Sequence, residues 1–172
     1  MSWLISLFKL APIFFGLFSL IACGFEPLHL HKQNTVKVSE VLNRIHVLPI
    51  PERTGQLLRI NLTNQLNPKG PSKETDYILS ATLSEKKRDL GVRKDATATR
   101  TDLIITASYV LQDIKKNTTL ISGTVKSVTS YNILDADFAN RSAEEDARRR
   151  ASLDLSTQIS TRLSIFFHES SP

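Results

Sequence analysis

Few side chains in this 172-residue chain could do chemistry: a single thiol, four imidazoles, two acidic clusters and one dense run of cations. Cys23 closes Leu20-Ile21-Ala22-Cys23-Gly24, directly behind an apolar run from Leu10 to Ile21 whose sole nearby charge is Lys9. A short basic start, about a dozen apolar residues and a small residue before the cut describe a secretory signal peptide over residues 1–22. Pro12 and Gly16 interrupt the run, which falls short of the roughly 20 apolar residues that a membrane span needs. A cysteine at such a cut is a thiol placed for acylation, and two or three acyl chains hold a protein firmly at a bilayer. The chemistry expected at Cys23 is therefore lipidation, with residues 23–43 as the acylated tether. The plain alternative is a small apolar residue in an ordinary signal. Gly24 stands where an aspartate commonly keeps lipoproteins at the inner membrane, which leans toward outer-membrane delivery.

The other candidates give little. His29 and His31 could place two imidazoles on one side of an extended segment, but two ligands without a third nearby make a poor metal site, and a polar tether explains them as well. His46 and His168 stand alone. Asp135 with Asp137, and Glu144 with Glu145 and Asp146, have the look of acid/base pairs. Turn formation and helix-dipole complementation account for them without catalysis. No His-Glu-x-x-His, Gly-x-Ser-x-Gly or phosphate-cradling glycine loop occurs, and a single cysteine rules out an intrachain disulfide. No catalytic residue, metal or cofactor is expected, and no nucleic-acid partner. Losing the leader with Lys9 takes the formal charge from +5 to +4, an excess that permits an anionic partner without requiring one.

The cation run is Lys86-Lys87-Arg88-Asp89-Leu90-Gly91-Val92-Arg93-Lys94. Read as a hairpin between strands, it gathers five positive charges beside a turn. Lys86, Lys87, Arg88, Arg93 and Lys94 are then candidates for pairing with phosphates, since arginine meets them through a planar fork. The competing reading is a solvated hairpin whose charges block edge-to-edge pairing. Arg148-Arg149-Arg150 falls on three different helix faces and cannot form one patch.

The elements that must position these residues follow from periodicity. Arg44 to Leu48 alternates and stops at Pro49, a short first strand. Thr54 can cap a helix carrying Leu58, Leu62 and Leu66 on one stripe, ended by Asn67-Pro68-Lys69-Gly70-Pro71. Tyr77, Leu79, Ala81 and Leu83 alternate with Ser80, Thr82 and Ser84. Leu103, Ile105, Ala107, Tyr109 and Leu111 alternate with Thr106, Ser108 and Gln112. A turn at Lys115-Lys116-Asn117-Thr118 leads into a third run from Thr119 to about Tyr131, where Gly123 marks a bulge or a close approach. Ser142 and Glu145 form a capping box for a long helix with Ala143, Ala147, Ala151, Leu155, Ile159, Leu163 and Phe167 recurring every fourth residue. The order strand, helix, three strands, helix predicts one α+β domain over residues 44–172. Two helices should cover one face of a four-stranded, largely antiparallel sheet.

Several segments also carry a family likeness. Cys23-Gly24-Phe25 with Pro27-Leu28, then Ser130-Tyr131-Asn132, Phe138-Ala139, Glu144, Asp146-Ala147-Arg148-Arg149 and Ile159-Ser160-Thr161-Arg162-Leu163, resemble the LPS-assembly lipoprotein family LptE, particularly its alphaproteobacterial type. The resemblance implies a non-enzymatic outer-membrane lipoprotein on the periplasmic side. Such a protein plugs a large β-barrel partner of the LptD type and helps to deliver lipopolysaccharide. The basic hairpin as an LPS site is an assignment from charge, not from the family. A lipid-carrier or ABC-transporter auxiliary lipoprotein of the envelope is the rival reading, which an apolar ligand chamber would favour. A lipid-anchored hydrolase would need a convergent polar site that the sequence does not display.

Overall fold

The computed structural model describes residues 38–70, 72, 74–92 and 98–170. Cys23, His29, His31, Arg93 and Lys94 lie outside them. After a helical stretch at 38–42, the elements are β1 (Ile45–Val47), α1 (Glu52–Leu66), β2 (Tyr77–Val92), β3 (Ala98–Asp113), β4 (Thr118–Asn132) and α2 (Asp137–Glu169). This is the expected α+β order. The sheet runs β1-β2-β3-β4; β1 pairs parallel with β2, and the other two pairings are antiparallel. The parallel pair exists because α1 is inserted between its strands, and parallel neighbours need such a crossover.

Strict alternation sorts the sheet into two faces. Leu79, Leu103, Ile105, Ala107, Tyr109, Leu111 and Val125 point to the helices and are buried. They meet Leu58, Leu62 and Leu66 of α1 and the fourfold row of α2 from Ala147 to Phe167, in one continuous core. Burying one such leucine contributes about 1.5–3 kcal/mol. A row spaced by four overshoots a full turn by about 40° per step, so Ala147 to Phe167 sweep about 200° around α2. All six are nevertheless buried, which a flat support could not achieve. The long strands twist beneath the helix, and α1 flanks it. The helix is about 50 Å long, nearly the length of the 16-residue strands below it.

The small residues at the start of the row bring helix and sheet together as anticipated. Thr129 Oγ1 donates to the carbonyl of Ala147 at 3.1 Å. The helices are zipped by polar groups that periodicity did not reveal: Asn61 donates to Ser152 (3.1 Å), Gln65 donates to Ser156 (3.0 Å), and Ser160 donates back to Gln65 (2.9 Å). Ser152 and Ser156 are fully buried, so these bonds are what makes their burial tolerable.

Several boundaries differ from expectation. Thr54 does not cap α1: the helix begins at Glu52 behind Pro51, and Thr54 lies buried in its first turn. Gly55 is needed here because a Cβ would sit 2.7 Å from the Ile50 side chain and 3.0 Å from its backbone. Ser142 does not cap α2, which starts at Asp137, five residues earlier. Asn140 clasps the entry by accepting from the Leu134 N–H (2.8 Å) and donating to the Leu134 carbonyl (2.7 Å). Val38, in the segment read as tether, is helical, and it packs on the core with Val41 and Leu42. Gly123 is a close approach: a Cβ there would meet the Tyr109 hydroxyl at 2.9 Å, and the register shift falls instead at Leu111/Gln112.

Candidate functional site

The largest departure concerns the cation run. Lys86, Lys87 and Arg88 are not beside a turn. They belong to β2, whose ladder with β3 continues as Lys86 opposite Ile104, Lys87 opposite Leu103 and Arg88 opposite Asp102. Alternation therefore splits the run between the faces. Glu85, Lys87 and Asp89 point to the helix side, and Lys86 and Arg88 point to the side that no described element covers.

On the helix side each charge finds a partner. Arg148 of α2 holds Glu85 through Nη2 at 2.8 Å and Nε at 3.1 Å and also donates to Glu144. Lys87 pairs with Glu144 at 2.7 Å, and the Tyr131 hydroxyl donates to the same carboxylate at 3.4 Å. Asp89 accepts from the Thr101 hydroxyl at 2.7 Å. Burial alone would push the Glu144 carboxyl up, but Lys87 and Arg148 together outweigh it and hold it below its ordinary value. The hydrogen bond to Glu85, opposed by burial, raises the already high pKa of Arg148. This cluster braces α2 against β2. The arginine triplet divides: Arg148 turns to Glu85 and Glu144, whereas Arg149 and Arg150 share Asp146, so the three form no single patch.

Beside the brace lies a cleft of about 460 Å³, lined by Glu52, Arg53, Thr54, Leu57 and the residues Glu85, Glu145, Arg148 and Arg149. Its three arginines face three glutamates, and Arg53 already pairs with Glu145 at 3.3 Å. Charge balance makes it a poor anion site, and Arg148 commits both Glu85 and itself to structure.

The uncovered face has the opposite character. Register places Lys86 and Arg88 of β2, Arg100 of β3 and Lys126 of β4 on it, and Asp102 is the one carboxylate among its described strand residues. Asp102 is buried and held by Arg88 at 2.7 Å and Ser130 at 2.6 Å. Arg88 first, then Ser130, depress its pKa. Interspersed are Ser84, Thr106, Ser108 and Thr124, with Ile104 half-buried and Val128 49% exposed. The face thus offers cations and hydroxyls beside apolar side chains, a surface suited to an amphiphile carrying phosphates. Arg100 and Asp102 precede Leu103, where the alternation read from the sequence starts, and Lys126 joins them only through the register of β4 with β3. Extending the alternation back from Ile104 would have placed Asp102 and Arg100 on this face.

Among the described residues no helix is long and apolar enough to cross a membrane, and no three His, Cys, Asp or Glu gather as metal ligands. The chain is an α+β domain with two helices on one sheet face and a polar, mainly cationic surface on the other. The sequence profile of the lipopolysaccharide-assembly family LptE matches residues 42–163, and the chain belongs to that family. Among solved structures it is similar to a candidate lipoprotein of Caulobacter crescentus CB15 (22% identity, TM-score 0.65), with 77% of this chain and 96% of that one covered. A minor lipoprotein of Acinetobacter baumannii (20%, TM-score 0.57) is covered over 92% of its length by 72% of this chain. Uncharacterized lipoprotein B of Nitrosomonas europaea (18%, TM-score 0.54) is covered over 82% of its length by 71% of this chain. At such identities the likeness is one of fold. No curated protein matches the chain.

Proposed function

We propose that this chain is an outer-membrane lipoprotein, acylated at Cys23 and held on the periplasmic side, that serves lipopolysaccharide assembly without catalysis. Its partner is a β-barrel of the LptD type, in which the domain acts as plug and assembly factor. The observation that carries this reading is the uncovered sheet face, where Lys86, Arg88, Arg100 and Lys126 stand against Asp102, the one carboxylate among its described strand residues. A polar sheet face suits the wet lumen of a large outer-membrane barrel, and its cations suit the phosphates of lipopolysaccharide. Lys86 and Arg88 of the original run serve this role together with Arg100 and Lys126. Lys87 is engaged by Glu144, and Arg93 and Lys94, the remaining cations of the run, lie outside the described residues.

A lipid-carrier reading requires an apolar chamber. The space between helices and sheet is instead filled by the core side chains of β3, α1 and α2, which disfavours it. The test is purification of the tagged full chain from detergent-solubilised outer membranes. The expected result is a one-to-one complex with an LPS-assembly barrel and a lipid-bearing cysteine at the mature N-terminus. Recovery of the chain alone from membranes that contain the barrel would overturn the partnership, and an unmodified N-terminus elsewhere would overturn the anchor.

A further inference from the structure

The two edges of the sheet are finished differently. Along β4, outward carbonyls are taken by α2 side chains: Arg150 donates to Ser130 O (3.2 Å), Gln158 to Lys126 O (3.1 Å) and Arg162 to Thr124 O (3.2 Å). On the opposite edge β1 covers only Tyr77 to Leu79 of β2. There the Tyr77 N–H donates to Arg44 O and Leu79 O accepts from the Leu48 N–H, so the odd-numbered residues of β2 aim both backbone groups outward. The register with β3 is unbroken from Tyr77 to Leu90. The same direction therefore holds at Ala81, Leu83, Glu85, Lys87 and Asp89, and among the described residues no strand meets them.

An open edge is a template for an added strand, and its side chains decide which strand it accepts. Glu85, Lys87 and Asp89 are engaged on the helix side. On the uncovered side Lys86 makes no ion pair among the described residues, and Arg88 has Asp102 alone. A second copy added antiparallel, with helices kept on the same side, must centre on one residue. Every such register sets the even-numbered residues of β2 against even-numbered ones, and none of those is acidic. Centring on Lys86 or Lys87 also sets lysine against lysine, and like charges directly opposite one another are destabilising. A second copy therefore offers Lys86 and Arg88 no carboxylate, whereas a strand with carboxylates at alternate positions does.

We propose that the outer edge of β2, Ala81 to Asp89, is a docking edge on which an extended acidic segment of a partner polypeptide adds as a fifth strand. Its backbone bonds the odd-numbered residues, and its carboxylates lie beside Lys86 and Arg88. The proposal does not rest on the lipopolysaccharide reading, because it uses the edge of the sheet and a protein ligand.

The test uses the full chain in detergent with a blocked eight-residue peptide alternating valine and glutamate. One control peptide carries lysine for glutamate, and another is N-methylated at alternate residues so that it cannot form a ladder. Fluorescence anisotropy should show the acidic peptide binding at least tenfold tighter than either control. Amide exchange at Leu83, Glu85, Lys87 and Asp89 should slow when it binds. Lys86→Glu, at an exposed position, should fold as the parent does and bring the acidic and lysine peptides within threefold of each other. Equal binding of the methylated peptide, protection elsewhere than on β2, or no binding would overturn the proposal. So would amides already slow without peptide, or self-association through β2.

Discussion

Arg148 on α2 and Glu85 on β2, 63 residues apart, are joined by two hydrogen bonds of 2.8 and 3.1 Å. This clamp fixes the long helix over the strand that carries the cation run, and both side chains are about a quarter exposed. Arg148→Ala should destabilise the domain by about 2 kcal/mol, since it removes a charge-assisted, part-buried pair. A double-mutant cycle with Glu85→Ala, read by urea denaturation, should give a coupling of about 1–2 kcal/mol. Arg149→Ala, a more exposed change, should stay within about 0.5 kcal/mol. Equal effects of the two arginines would remove the clamp from the account.

Gly55 offers a sharper packing test. The Cβ of Gly55→Ala would lie 2.7 Å from Ile50 Cγ2 and 3.0 Å from two Ile50 backbone atoms. Helix propensity favours alanine by about 1 kcal/mol. The backbone has no room to yield, so overpacking should win, with a net loss of about 1–3 kcal/mol. Adding Ile50→Val should recover part of that loss. A thermal midpoint for Gly55→Ala at or above the parent's would refute the contact.

Acid should unfold the domain through three carboxylates. Asp102 is depressed by Arg88 and then Ser130, and Asp76 by Lys115 and then Arg44. Glu144 is depressed because Lys87 and Arg148 overcome its burial. Their folded pKa values lie below their unfolded ones, so the unfolded chain binds more protons between the two. The stability they add is fully present above the ordinary carboxylate range, about pH 4, and is lost as pH falls through the lower folded values. Urea midpoints should be level from about pH 5 upward and drop below about pH 4. Asp102→Asn should flatten part of that drop. An unchanged slope in this variant would exclude Asp102 from it.

Much of this architecture is legible in the sequence because it is written in local periods. The alternation of Tyr77 to Leu83 and Leu103 to Leu111, and the fourfold row of α2, give the elements, their order and the face they bury. What stays hidden is non-local. Glu85 to Asp89 has the composition of a loop and extends a strand only because Arg148, Glu144 and Thr101, brought from elsewhere, satisfy its charges. Ser142 and Glu145 have capping-box spacing, but Asn140's two bonds to Leu134 start the helix earlier. The cationic face is half legible: Lys86 and Arg88 stand out in the sequence, but Arg100 and Lys126 join them only through strand register.

Lipopolysaccharide binding by that face is the most direct test of the proposed function. Affinity would be measured for the parent and for the triple variant Lys86→Glu, Arg100→Glu and Lys126→Glu. Each exposed ion pair contributes about 0–1 kcal/mol, so the variant should bind between about ten- and a hundredfold more weakly at low salt. The gap should narrow as salt rises from about 0.1 M to about 1 M and the screening length falls from about 10 Å to about 3 Å. Thermal stability should be unchanged. A triple variant that binds lipopolysaccharide as the parent does at low salt would contradict the assignment of this face.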